Sequence, residues 1–243
     1  MAESFFNWSG GKDSALALFK ILQERKHNIR HLLTSVNQTT GRISMHGVRY
    51  SLLKQQVEAM GFPLDLLELP EMPSMQIYED LLSEHLLQYR NAGIDTAIFG
   101  DIFLEDLRQY REKQLATIGM KALFPLWKQD TTALLNEFLA LGFKTIITAV
   151  DSRHLDQSFA GRIIDKTFFD DLPKDVDPCG ENGEFHSFVF DGPLFHHPVE
   201  FEKGKVVYKE YKSTCRNYKD NGEEILEEKT YGFWFCDLMP KGK

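Results

Sequence analysis

Short apolar runs rich in β-branched and aromatic residues alternate along this chain with stretches whose apolar residues recur every three or four positions. The first pattern belongs to strands and the second to one face of a helix. Residues 3–8 form the first apolar run. Residues 13–27 follow, with Ala15, Leu16, Leu18, Phe19 and Leu22 at helical spacing. The same reading predicts strands at 29–36, 64–69, 96–101, 122–126 and 144–150. It predicts helices at 48–60, 76–91, 104–118 and 131–141, each stopped by a glycine: Gly61, Gly93, Gly119 and Gly142. Such a β-α-β-α order implies an α/β fold, a Rossmann-like parallel sheet with helices on both faces. Right-handed crossovers then bring the loops that follow the strands to one edge, where ligands bind.

The pattern changes after residue 151. Residues 156–171 read as one more helix and 173–183 as a turn-rich loop with two prolines and two glycines. From Phe185 onward apolar residues alternate, through Phe188 and Phe190, then 199–201, 206–211 and 231–235. These predict antiparallel strands joined by turns at Asp191-Gly192, Lys203-Gly204 and Asn221-Gly222. The plan expected is an α/β domain over 1–155 and a smaller β-rich C-terminal domain over 156–243.

Composition narrows the class. The chain has 243 residues, 28 Lys and Arg against 36 Asp and Glu, and a formal net charge of −8. An acidic balance argues against non-specific nucleic-acid binding, which depends on neutralising phosphates, so no nucleic-acid partner is expected. Cys179, Cys215 and Cys236 form no C-x-x-C pair, so a zinc ribbon or redox dithiol is not expected and a reducing compartment is. No apolar run of about 18 residues exists to span a membrane. Residues 1–11 do not resemble a secretory leader. The cytoplasm is the expected location.

The sharpest motif is Ser9-Gly10-Gly11-Lys12-Asp13-Ser14, at the junction of the first strand and first helix. A glycine pair lets backbone N–H groups approach an anion closely, and a helix N-terminus adds partial positive charge. Ser9 and Ser14 bring hydroxyls, Lys12 a point charge and Asp13 a candidate magnesium ligand. The spacing is not that of a Walker A loop. The plainer alternative is a Gly-Gly turn before a helix.

This hexapeptide resembles the pyrophosphate loop of the N-type ATP pyrophosphatases, whose sheet is Rossmann-like and of the HUP type. The resemblance implies attack on the α-phosphate of ATP by a substrate oxygen, release of pyrophosphate, and transfer of an adenylated intermediate to a nitrogen or sulfur nucleophile. It also places adenine near Ser35 and Asn37, after the second strand. A narrower resemblance runs from Ser9 to about Leu194. Phe99-Gly100-Asp101-Ile102, Phe124-Pro125-Leu126-Trp127 and Asp177-Pro178-Cys179-Gly180-Glu181-Asn182-Gly183-Glu184-Phe185-His186-Ser187 are similar to the diphthine–ammonia ligase family. That family amidates a carboxylate with ATP and ammonium. The chain departs from its usual pattern at Asp101 and in the segment 181–187, whose form resembles a bacterial branch linked to cobalamin salvage.

Other candidates carry more than one reading each. Glu181, Glu184 and His186 lie within six residues and read either as a group that orients an amine and takes its proton, as a zinc site, or as a polar turn. Asp101, at the end of an apolar strand, reads as a second Mg2+ ligand beside Asp13 or as a helix cap. Arg108 and Glu112 read as an i,i+4 ion pair or as acceptor-binding groups. Ser44, Met45, His46 and Arg49 open the second helix, either meeting substrate or phosphate or doing neither. His196-His197 reads as structural. Lys203, Lys205, Lys209, Lys212, Arg216 and Lys219 interleave with Tyr208, Tyr211 and Tyr218, as on a binding face or a solvated strand.

The expected activity is an ATP-dependent, AMP- and pyrophosphate-forming ligase. Lys12, Asp101, Glu181, Glu184 and His186 would be catalytic, with Ser9, Gly10, Gly11, Lys12, Asp13, Ser14, Ser35 and Asn37 on ATP. The partners expected are a carboxylate substrate and free ammonium, with a homodimer as the assembly. The rival readings are amidation of a corrinoid or other small carboxylate, a tRNA-modifying ATP pyrophosphatase, and a nucleotide sensor without chemistry.

Overall fold

The computed structural model describes residues 1–43, 46–218 and 224–241, with side chains omitted at 213–218 and 224–229. Strand β1 (Ala2–Asn7) leads into helix α1 (Lys12–Glu24), then β2 (His27–Asn37), the short β3 (Arg42–Ile43) and α2 (Tyr50–Met60). There follow β4 (Leu64–Leu69), α3 (Met75–Asn91), β5 (Thr96–Ile98), α4 (Glu105–Ala116) and β6 (Lys121–Leu123). Strands β4, β2, β1, β5 and β6 run parallel in that order, and β3 adds an antiparallel edge to the end of β2.

Period-two alternation sends the sheet's apolar residues to two cores. Phe6, Leu32 and Ile98 face a core shared with α1 and α2, while Phe5, Leu33 and Ala97 face a second core with α3 and Met120. Trp8, polar-edged and out of place in an apolar strand, is fully buried in the first core. Its indole N–H donates to Gln56 Oε1 at 2.9 Å, which removes the cost of burying it.

The C-terminal half departs from expectation at three points. Helix α5 (Thr131–Ala140) leads to β7 (Lys144–Asp151), expected in the parallel sheet. Instead β7 is a central strand of a second, antiparallel sheet, paired with β8 (Phe185–Asp191) and β10 (Glu224–Pro240), which in turn pairs with β9 (Phe201–Tyr218), in the order β8-β7-β10-β9. Every residue of β7 after Lys144 is buried, and a run buried on both faces carries no alternation to mark which sheet it joins. The helix expected at 156–171 is a single 3₁₀ turn (Gln157–Phe159) and a short α6 (Lys166–Asp171), interrupted where Ile163 bridges to Ile146.

Third, Lys203-Gly204 is no turn, because β9 (Phe201–Tyr218) runs straight through it. Gly204 lies opposite a register shift in β10, where a Cβ would come 3.2 Å from Asp237 Cβ, so the glycine admits a bulge. The expected Asn221-Gly222 turn lies outside the described residues. The second sheet packs through Ile146, Val150, Phe188 and Val189 into the first core, which fixes it against the layer of α1, α2 and α5.

Candidate functional site

The loop after β1 is held from three sides. Gly10 has φ +82°, and a Cβ there would meet Leu53 Cδ1 at 3.0 Å and Gln56 Oε1 at 3.1 Å. Its carbonyl accepts from Gln56 Nε2 at 3.0 Å and from the Val189 N–H at 2.9 Å. Ser9 Oγ lies 2.7 Å from Ser14 Oγ and accepts from the Gly11 N–H at 3.2 Å. The Lys12 N–H donates to Ser187 Oγ at 3.2 Å, tying the loop to β8. Gly11 caps α1 without a side-chain acceptor, leaving the helix's positive end for an anion. Gly100 packs against the same turn, where a Cβ would sit 3.0 Å from the Ser14 N.

Lys12 is buried, and its Nζ contacts Asp13 Oδ2 at 2.7 Å and donates to the Cys179 carbonyl. Burial is the largest single influence and opposes its charge, but the surrounding groups, Asp13 first among them, together outweigh it and raise the ammonium's pKa. Lys12 is therefore a permanent cation at the loop.

Asp101 follows β5 and sits 3.0 Å from Arg111 Nε. Arg111 Nη2 also donates to Asp101 Oδ1 at 3.5 Å, while Asp101 Oδ2 and Arg111 Nε meet as an ionic contact without a hydrogen bond. Burial raises the Asp101 pKa, Arg111 lowers it and Asp13 raises it, so the two carboxylates feel each other. Glu181 reaches the same edge, with Oε1 accepting from the Ile102 N–H at 2.8 Å and the Phe103 N–H at 3.3 Å. Burial pushes its pKa up to about 7.

Glu184 behaves differently from its neighbour. It is 2% exposed, and its oxygens accept from the Asp177 N–H at 3.1 Å, the Asn182 N–H at 3.0 Å and Asn182 Nδ2 at 3.0 Å. It shapes the loop that delivers Glu181. Among the described residues no group of three or more His, Cys, Asp or Glu is placed to hold a metal, so nothing supports the zinc reading.

His186 packs on His46, ring centroids 4.7 Å apart. Burial drops the His186 pKa to about 3 and that of His46 to about 4, so both are neutral. His46 lies over the loop, 3.3 Å from where a Gly11 Cβ would be. Its Nδ1 is buried without a hydrogen-bond partner.

Two cavities flank this centre. One, of about 630 Å³, lies beyond β1 and β5 and is lined by Asn7, Leu33, Tyr78, Phe99 and Arg111. The other, of about 1000 Å³, lies between β3 and the β9–β10 hairpin, with His186 among its lining residues. Asn37 also lines it, while Asn37 Oδ1 holds its own turn through the Thr40 N–H at 2.9 Å. Ser35 is half-buried on β2, in register with Leu67 of β4.

Several candidates are drawn elsewhere. Arg49 does not face the loop; it binds Asp237 at 2.6 Å. Arg108 does pair with Glu112 at 2.7 Å and stacks on Trp127 at 4.5 Å. His196 packs by Gly61, as a structural residue would. Ser44, Met45 and Lys219 lie outside the described residues, as does the Arg216 side chain. Gln56 and Arg111 join the site although no motif singles them out. Gln56 is a polar residue on the buried face of α2, and that misplacement was the signal that could have found it.

A glycine-bearing anion loop at the positive end of α1, set on the C-terminal edge of a parallel sheet and closed by a carboxylate loop, defines a nucleotide-binding α/β protein. Family models for the N-terminal and C-terminal domains of diphthamide synthase match residues 3–122 and 130–221, and the chain belongs to that family. It is 25% identical over 225 residues to a diphthine–ammonia ligase of Danio rerio, covering 82% of this chain and 86% of the relative. The Homo sapiens diphthine–ammonia ligase is 24% identical over 221 residues, covering 82% of each. That of Schizosaccharomyces pombe is 30% identical over 112 residues, 41% of this chain and 18% of the relative's length.

Proposed function

We propose that the chain is an ATP-dependent ligase that amidates a carboxylate with ammonium, releasing AMP and pyrophosphate. The observation that carries this reading is the convergence of Lys12, Asp13, Asp101 and Glu181 on the uncapped N-terminus of α1. In this reading the loop of Ser9 to Ser14 holds the ATP phosphates, with Lys12 stabilising charge that develops on them. Adenine lies by Ser35 and Asn37, at the end of β2. The acceptor carboxylate oxygen attacks the α-phosphorus and pyrophosphate leaves. Ammonia then attacks the acyl carbon and AMP leaves.

Free ammonium must lose a proton before it attacks. Glu181 is suited to take that proton. Its Oε1 is committed to two backbone N–H groups, which leaves Oε2 for the amine, and a pKa about 7 suits a base at neutral pH. Neutral His186 and His46 offer lone pairs without adding positive charge. Glu184 acts as a positioning residue. Magnesium takes one or two carboxylates plus phosphate oxygens, and the donor set here fits, since Asp101 Oδ2 lacks a hydrogen-bond partner and Asp13 is alongside. Asp13 and Asp101 would hold it, and it would neutralise phosphate charge. The buried free thiols of Cys179 and Cys236 support a cytoplasmic setting.

The test is turnover with ammonium and candidate carboxylates, including diphthine-bearing protein, read by nucleotide product. AMP with pyrophosphate is expected; ADP with phosphate overturns the reading.

A further inference from the structure

We propose that the cavity between β3 and the β9–β10 hairpin is the acceptor site, and that it takes a small-molecule acid whose carboxylate rides on a broad, rigid apolar or aromatic frame. That the bound acid is the acceptor rests on the ligase reading; the binding itself does not.

The pairing of the hairpin produces the cavity's wall. Tyr231, Phe233 and Phe235 alternate along β10 and so share one face. Opposite them on β9 stand Tyr211, Lys209 and Val207. The rings touch: Tyr211 stacks on Tyr231 at 5.8 Å, and Phe233 lies 5.9 Å from Phe235. Tyr211 is 40% and Val207 43% exposed. A lone soluble chain leaves such a patch open where something binds it.

Shape and charge decide among occupants. The wall is not flat: Asn37, Thr40, Arg42 and Met72 face it across the gap. The half-open groove, of about 1000 Å³, has the volume of a pocket for a sizeable small molecule, at roughly 300–1000 Å³. A carboxylate on a single protein side chain would leave most of the aromatic wall wet.

The lining carries Arg42, Lys205 and Lys209 against Asp237. That aspartate is already shared by Arg42 at 3.0 Å and Arg49 at 2.6 Å. The cavity is thus positive within a chain of net charge −8, which selects an anion. At its inner end His186 touches His46, which lies over Gly11. The inner end of the cavity therefore adjoins the residue that covers the phosphate loop.

The test uses the full chain and 4-(1-pyrenyl)butanoate as probe, read by fluorescence anisotropy without ATP or ammonium. Saturable binding is expected, at least tenfold tighter than that of uncharged 1-pyrenebutanol. Phe233→Ala should weaken it at least tenfold. Lys205→Ala/Lys209→Ala, a change of two exposed lysines, should cut the preference for the acid over the alcohol at least threefold. Equal affinity for acid and alcohol overturns the proposal. So does an unchanged affinity in both variants, or a dimer whose dissociation by Phe233→Ala shows that a second copy covers the face. Because the readout needs no turnover, failure of pyrophosphate release leaves this binding result standing, and failure of binding leaves the ligase reading standing.

Discussion

Lys12 and Glu181 show how single groups are tuned here. Lys12 stays charged because Asp13 and the other groups around it together outweigh burial. Lys12→Ala should lower kcat/KM for ATP by about 10²-fold or more, and Lys12→Arg should not restore it, since a planar fork replaces a point charge in a buried slot. Steady-state pyrophosphate release checks both. For Glu181 the fold raises the pKa from 4.5 to about 7, so the folded state binds the proton more tightly than the unfolded one. The stabilising contribution of this group is full below about pH 4.5 and is lost as pH rises through 7. Glu181→Gln should remove that slope, by roughly 3 kcal/mol between those limits, as read by denaturant melts at several pH values. Activity in the wild type should rise through pH 7 as Glu181 ionises, and the Gln variant should lack that limb.

Among the elements, the junction of β1 and α1 depends on a side chain from α2. Gln56 donates to Gly10 O at 3.0 Å and to Val189 O at 2.5 Å, and accepts from Trp8. Gln56→Leu should cost about 2–4 kcal/mol by orphaning buried polar groups and should weaken ATP binding, with calorimetry reading the affinity and a melt the stability. Gly10→Ala should act the same way, by strain at φ +82° and by contact with Leu53. The motif of residues 9–14 was legible from its spacing and place. Its supports were not, because Gln56, Ser187 and Val189 lie far along the chain and only the fold brings them there.

The two sheets of the whole molecule are bound by a strand that the sequence order assigns to the wrong one. Strand β7 lies between β8 and β10, so the second sheet needs the chain's last strand to complete it. A chain ending after residue 200 should lose β9 and β10, expose the edge of β7 and aggregate, as measured by light scattering and soluble yield. The sequence by itself determined the α/β class, the glycine-stopped helices, the glycine turn between β1 and α1 and the family, because these are set by short-range periodicity and by residue spacing. It also predicted a carboxylate role for the segment 181–187. Only the tertiary structure separated Glu181, aimed at Ile102 and Phe103, from Glu184, consumed by its own loop. It alone placed β7, since a strand buried on both faces has no pattern to declare its partners. It alone made a cavity from Tyr211, Phe233 and Arg42, because alternation says that residues share a face, while what faces them depends on packing.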